Sequence, residues 1–194
     1  MTRRLPSFLG KSGVLADVDS SRIGWILLAN RMVWLGLDSS EGYQLNEVID
    51  ISLLSVATFG VFDPKDPRMI ATANAVREEL WLKTSIEGCA RYQGDVYQLA
   101  NDSPKDIPGN PWFISTLWLA EYAIDQAENQ QELQAALPYL EWCGSNALSS
   151  GVLAEQVHPI NGSPLCVSPL TWSHSAFVWT VLRYSEKDKT LKEY

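Results

Sequence analysis

Apolar and polar residues alternate mostly with helical spacing. Trp25, Ile26, Leu28, Ala29, Met32, Val33 and Leu35 suit a largely buried helix over residues 21–37, with Ser20 or Ser21 as its N-cap. A second apolar segment covers residues 45–59. The turn Asp63-Pro64-Lys65-Asp66-Pro67 then starts a helix, with Asp66 as cap and Pro67 in the first helical position. Met69, Ala73, Val76 and Leu80 make one stripe along it. Residues 94–109 are polar with two prolines and read as a long loop. A helix opened by Pro111 follows, with Phe113, Leu117, Ala120, Ile124 and Ala127 facing a core. Its neighbour, residues 132–145, presents Leu133, Leu137, Leu140 and Cys143 or Gly144. The joint at 128–131 is short enough to predict an antiparallel pair. A second loop at 149–168 precedes a last helix at 169–184, with Leu170, His174, Phe177, Val181 and Tyr184 on one face. Residues 185–194 are charged and expected to fray. The prediction is an all-α fold of about six helices in antiparallel pairs, joined by loops that alternate short and long.

Composition narrows the class. A length of 194 residues suits one domain, and 46% hydrophobic content excludes intrinsic disorder. A net charge of −8 gives no electrostatic footprint for nucleic acid and little attraction to anionic membranes. The basic N-terminus has no apolar stretch of signal-peptide type behind it. The apolar run 23–37 contains Asn30 and Arg31 and is too short to span a bilayer. The expectation is a soluble, cytoplasmic protein. Cys89, Cys143 and Cys166 are odd in number and form no CxxC pair, and His158 and His174 belong to no zinc pattern. No metal site is expected, and the cysteines read as buried, reduced thiols. Phosphate-cradling loops and the GxSxG elbow are also missing from the sequence.

The remaining chemistry lies in the loops. Three clusters combine aromatic, charged and amide groups: Arg91-Tyr92-Gln93-Gly94-Asp95, Gly109-Asn110-Pro111-Trp112-Phe113 and Leu153-Ala154-Glu155-Gln156-Val157-His158-Pro159. Charged and amide groups suit sugar hydroxyls, and flat rings suit a pyranose C–H face. The eight tryptophans fit that use or a core. Residues 90–97 (ARYQGDVY), 109–120 (GNPWFISTLWLA), 151–159 (GVLAEQVHP) and 168–177 (SPLTWSHSAF) resemble, in order and spacing, segments of glycoside hydrolase family 15, the glucoamylases. Residues 49–66 resemble the family's preceding helix. The resemblance covers about residues 45–184 and divides the chain into a segment 1–44 of uncertain identity and a segment 45–194 resembling the C-terminal half of the domain.

The resemblance implies a partial (α/α)6 toroid and inverting hydrolysis of terminal α-glucosidic bonds in starch-type oligosaccharides or related glucans, with trehalose as a further substrate. Two carboxylates and water suffice for that reaction, so no cofactor is implied. Glu155 aligns with the general base. Arg91 and Asp95 match a clamp on glucose hydroxyls, and Trp112 and Trp172 match the sugar pocket, although Trp172 suits core packing equally well. Gly94 replaces an acidic residue of fungal members. Gln156 and His158 flank the base with roles left open, and Trp118, Trp142 and Trp179 read as core. The family's general acid follows a tryptophan, but no Trp-Glu dipeptide occurs, and Glu41, Glu47, Asp50 and Glu87 have no matching context. The expectation is a truncated form without a general acid, inactive alone, that binds a glucose-containing oligosaccharide or polysaccharide. It would self-associate or take a complementing N-terminal half. The rival expectations are a non-catalytic carbohydrate-binding or regulatory module on the same scaffold and a truncated gene product without function.

Overall fold

The computed structural model describes three strands, residues 24–28, 31–38 and 42–46, by their backbone, and residues 48–193 in full. The expected cap at Ser20 or Ser21 and the acidic residues Glu41 and Glu47 lie outside the described residues.

The first prediction needs correction. Within residues 21–37 the chain forms strands β1 (Gly24–Leu28) and β2 (Arg31–Asp38), and β3 (Gly42–Asn46) completes an antiparallel sheet in the order β1-β2-β3. Leu28 pairs with Arg31 and Trp25 with Trp34. Asn30 divides the apolar run into two short halves rich in Trp, Ile, Val and Leu. Runs of that length satisfy a buried strand as well as a buried helix, so periodicity alone cannot separate the two.

From residue 48 onward the chain is mainly helical. Asp50 caps a 3-10 turn, Ile51–Leu54, which leads into the short helix α1 (Ser55–Thr58). Helix α2 (Pro67–Leu80) starts as predicted: the Asp66 carboxylate accepts the Arg68 N–H at 2.9 Å, and Met69, Ala73, Val76 and Leu80 are fully buried. Helix α3 (Phe113–Gln126) is buried around most of its circumference. Behind it come α4 (Gln130–Leu133), a 3-10 turn (Gln134–Ala136) and α5 (Leu137–Ser145). The single helix expected at 132–145 is thus interrupted, because Pro138 has no N–H to continue the i→i−4 ladder.

Helix α6 (Thr171–Lys192) extends through the tail that was expected to fray. A Lys192–Asp188 ion pair one turn apart and a Gln130 side-chain bond to the Asp188 carbonyl at 3.0 Å hold its end. Its buried face matches the predicted one only in part, through Phe177 and Tyr184, which lie half-buried against the core. Ser173, Ala176 and Thr180 pack inward, while Val181 and Trp179 are exposed. Small side chains let α6 approach α3 closely, and Trp172, Val178, Trp179 and Leu182 point outward.

Three apolar clusters form the core, and α3 contributes to each. Leu119 and Tyr122 join Ile49–Val56 and α2; Phe113 and Leu117 join Trp142, Leu153 and Val157; Ala120 and Ile124 join Leu133 and Ala136. Cys89 and Cys143 are buried as expected, whereas Cys166 is exposed. Burial pushes the Cys89 and Cys143 thiols well above the ordinary range. Among the described residues no helix is long and apolar enough to cross a membrane, and no three His, Cys, Asp or Glu side chains converge on a metal position.

Candidate functional site

The site is assembled on the start of α3. Gly88, in the left-handed region at φ 91°, brings the chain against Trp142, where a Cβ would stand 2.4 Å from the indole. The backbone beyond it is fixed residue by residue. Ala90 donates to the Leu80 carbonyl, Ile51 to the Arg91 carbonyl at 2.9 Å and Gln93 to the Ile49 carbonyl at 3.0 Å. Cys89 receives the Trp112 N–H on its carbonyl, and its own N–H donates to Thr116 Oγ1 at 3.0 Å.

Arg91 and Asp95 form a bidentate pair. Nε donates to Oδ2 at 2.9 Å and Nη2 to Oδ1 at 2.8 Å. Asp95 is 1% exposed and also accepts the Tyr97 N–H at 3.0 Å. Gly109 lets the loop close over it, since a Cβ there would meet the Asp95 Cβ at 2.8 Å. Burial works against the Arg91 charge, but the hydrogen bonds and charge of Asp95 outweigh it and hold the guanidinium above its ordinary pKa. The guanidinium carbon also stands 4.6 Å from the Trp112 ring, 4.8 Å from Tyr92 and 5.3 Å from Tyr97. Charge, rings and planar donors thus occur together.

Arg91, Trp112 and Trp172 line one cleft of about 320 Å³, with Asp50, Tyr92 and Trp118. Asp95 stands behind Arg91 and does not line it. Trp112 is buried, and its Nε1–H has no protein partner. Trp172 is half exposed and packs edge-on against Trp118 at 6.5 Å, so it is a cleft wall rather than a core residue. Trp118, expected in the core, is partly buried there and also faces the cleft.

Glu155 lies outside the lining of this cleft but hangs from the same helix start. Its carbonyl accepts the Phe113 N–H at 3.4 Å, and its N–H donates to Val167 at 2.9 Å. Its Oε2 is buried without a protein partner. Next to it, Gln156 is buried and accepts from Asn110 Nδ2 at 2.7 Å. His158 Nδ1 accepts the Ile160 N–H, which places the ring proton on Nε2, 2.8 Å from Asp102 Oδ1. His158 therefore ties loops 94–109 and 149–168 together, and Gln156 ties the second loop to Asn110 just beyond the first.

Tyr97, which the sequence reading did not single out, connects the two sides. Its ring lies 6.0 Å from Trp112, and its hydroxyl is 3.7 Å from Cys166 Sγ. The hydrogen bond to Cys166, with the charges of Cys166 and Glu155, holds the phenol above its ordinary pKa. Asp50, which had no matching context, stands at the cleft edge with Oδ1 occupied by the Ser52 N–H at 2.8 Å and hydroxyl at 2.6 Å. Only its place inside the apolar segment 45–59, where a carboxylate interrupts the run, could have marked it.

The profile of the family described as "Glycosyl hydrolases family 15" matches residues 7–136, well over half of the chain. The chain belongs to glycosyl hydrolase family 15. An uncharacterized glycosyl hydrolase of Methanocaldococcus jannaschii is 31% identical over 157 residues, covering 76% of this chain and 23% of that relative. A glucoamylase of Clostridium sp. is 29% identical over 144 residues, covering 70% of this chain and 19% of that one. The chain therefore spans about a quarter or less of the length of these family 15 relatives. The same holds for a bacterial glucoamylase solved with acarbose: TM-score 0.62, 24% identity, 84% of this chain and 25% of that one. A glycosidase solved in complex with glucose has TM-score 0.61 at 21% identity and covers 82% of this chain and 40% of its own. The fold is a partial (α/α)6 toroid, and the small sheet precedes its helices.

Proposed function

We propose that this chain carries the base side and the sugar clamp of a glucoamylase-type site, acting on terminal α-glucosidic bonds of starch-type oligosaccharides or related glucans with inversion. The observation that supports it is the Arg91–Asp95 pair, whose guanidinium meets Trp112 in the cleft, with the Glu155 main chain anchored one residue further along the same helix start, on the Phe113 N–H. In this reading Arg91 donates to glucose hydroxyls and Asp95 holds it in place. Trp112 and Trp172 pack on the pyranose C–H face, and the orphan Oε2 of Glu155 takes a proton from the attacking water. The chemistry needs no cofactor, since a carboxylate pair supplies both proton transfers. The same proposal gives residues 45–194 as the toroid segment, a cytoplasmic location for the protein and a glucose-containing oligosaccharide as its ligand.

Inversion also requires an acid, roughly 6.5–9.5 Å across the scissile bond from the base. Among the described acidic residues the one lining the cleft is Asp50, whose Oδ1 is committed to Ser52. We therefore expect the 194-residue chain to leave maltose intact. Glucosyl fluoride should release glucose slowly, because its C–F bond breaks without protonation while water attacks C1 and gives its proton to Glu155. That release should vanish in Glu155→Gln. Turnover of maltose would overturn the missing acid, and fluoride hydrolysis unchanged in Glu155→Gln would overturn the base. A non-catalytic binding module is the second reading, favoured by a clamp that is complete without the acid. It predicts sugar binding with no release from either substrate.

A further inference from the structure

Residues 94–110 and 149–168 meet at three hydrogen-bonding contacts. Asn110 Nδ2 donates to Gln156 Oε1 at 2.7 Å, His158 Nε2 donates to Asp102 Oδ1 at 2.8 Å, and the Tyr97 hydroxyl stands 3.7 Å from Cys166 Sγ. The second contact joins a buried histidine to an exposed carboxylate. Turn bonds fix the histidine. Its N–H donates to the Ser163 carbonyl at 2.8 Å, its carbonyl accepts the Gly162 N–H at 3.0 Å, and Nδ1 accepts the Ile160 N–H at 3.2 Å. With its main chain and Nδ1 committed, the ring presents Nε2–H in one direction, and Asp102 meets it there. At the base of loop 94–109 the Asp95 N–H bonds the Pro108 carbonyl at 2.8 Å, and Asn110 Nδ2 bonds the Gln98 carbonyl at 2.8 Å. Gln98 follows Tyr97 directly and has φ 52°. A residue other than glycine keeps that left-handed backbone only where its surroundings hold it.

The geometry points to His158 as a positioning residue of the proposed site: through Asp102 it holds loop 94–109 in the course that sets the Tyr97 ring beside Trp112 and Cys166. Its consequence for binding rests on the reading of Arg91 and Trp112 as a sugar clamp, while its hold on the loop stands on the contacts alone. Neither His158 nor Asp102 lines the cleft. Their effect reaches it through Tyr97, whose ring lies 6.0 Å from Trp112 and 5.3 Å from the Arg91 guanidinium carbon. Gln98 transmits it. Asn110 holds the Gln98 carbonyl on one side, and the Asp102 bond holds the chain four residues further on. Without the second hold the left-handed residue is free to relax, and the ring next to it turns away from Arg91. What His158 needs from Asp102 is an acceptor oxygen at the right place, so a neutral amide at position 102 serves as well as the carboxylate.

Cys166 is a built-in reporter for the test, since it is exposed while Cys89 and Cys143 are buried. The full chain is treated with an aromatic disulfide that releases a coloured thiolate, and the rate of the one fast thiol is read. Asp102→Ala should raise that rate several-fold with unchanged helix content, because the Tyr97 hydroxyl leaves the sulfur. Asp102→Asn should keep the wild-type rate, because its amide oxygen still accepts the Nε2–H. His158→Ala should behave like Asp102→Ala; if it lowers helix content, the exposed Asp102 position decides alone. In calorimetric titration with acarbose, Asp102→Ala should bind about tenfold more weakly and Asp102→Asn as the wild type does. A thiol rate unchanged in Asp102→Ala overturns the inference, as does an Asp102→Asn that matches Asp102→Ala. A raised thiol rate with unchanged acarbose affinity overturns the positioning role. A wild type that binds no acarbose overturns the proposed sugar clamp instead, and the thiol rates still decide whether His158 holds the loop.

Discussion

Arg91 holds a buried carboxylate through two parallel hydrogen bonds while its outer face meets three aromatic rings. Only a planar fork does both, so lysine is not an equivalent replacement. In Arg91→Lys one Asp95 oxygen loses its charged donor, although Oδ1 keeps the Tyr97 N–H. Charge-assisted bonds are worth about 1.5–3 kcal/mol, and the low end applies here because the arginine is a third exposed. We expect a modest fall in thermal stability and a loss of affinity for glucose or acarbose of about tenfold, equal to about 1.4 kcal/mol. Calorimetric titration of both proteins checks it, and equal affinities would remove Arg91 from the clamp. The residues of this proposed clamp stand in the sequence motifs ARYQGDVY and GNPWF, which made them candidates. Tyr97 was not one, although it sits in the first of these motifs. Its importance comes from the fold, which brings Cys166 from 69 positions away to its hydroxyl.

Between elements, α3 and α6 are joined by a buried polar network. Thr180 Oγ1 donates to Glu121 at 3.1 Å, Arg183 reaches Glu121 at 3.6 Å, and Arg183 also pairs with Asp125. Burial raises the Glu121 pKa, and Thr180 and Arg183 offset only part of that rise. The folded state therefore keeps a proton that the unfolded chain releases near the ordinary glutamate value of about 4.5. Stability from this group is complete below that pH and is lost as pH rises through the raised folded value. Denaturant unfolding at stepped pH should show this fall, and Glu121→Gln should flatten it. An unchanged slope in the variant would assign the effect elsewhere. The helix α2 was readable end to end, from the Asp66-Pro67 start to the stripe at Leu80. The strands β1 and β2 were not, because a short apolar run carries no period that decides for helix. The end of α6 was hidden for another reason: its hold on α4 through Gln130 is a tertiary contact that no local pattern encodes.

For the whole molecule, the sharing of α3 among three apolar clusters means that none of them can open alone. We expect residues 48–193 to unfold in one transition, with tryptophan fluorescence and far-UV dichroism coinciding. Leu117→Ala, at a fully buried position, should lower stability by about 2–5 kcal/mol and shift both probes equally. Separate midpoints would show that the clusters are independent. The two consecutive amides that open α3 have a further consequence. Trp112 N–H holds the Cys89 carbonyl on the clamp side, and Phe113 N–H holds the Glu155 carbonyl on the other. A displacement of α3 along its axis carries both sides with it, so the spacing between the Cys89 and Glu155 main chains is inherited as a unit. An engineer probing the proposed sugar site would leave that block untouched. The half-exposed ring of Trp172 is the position to randomise, since it lines the cleft without taking part in those two backbone contacts.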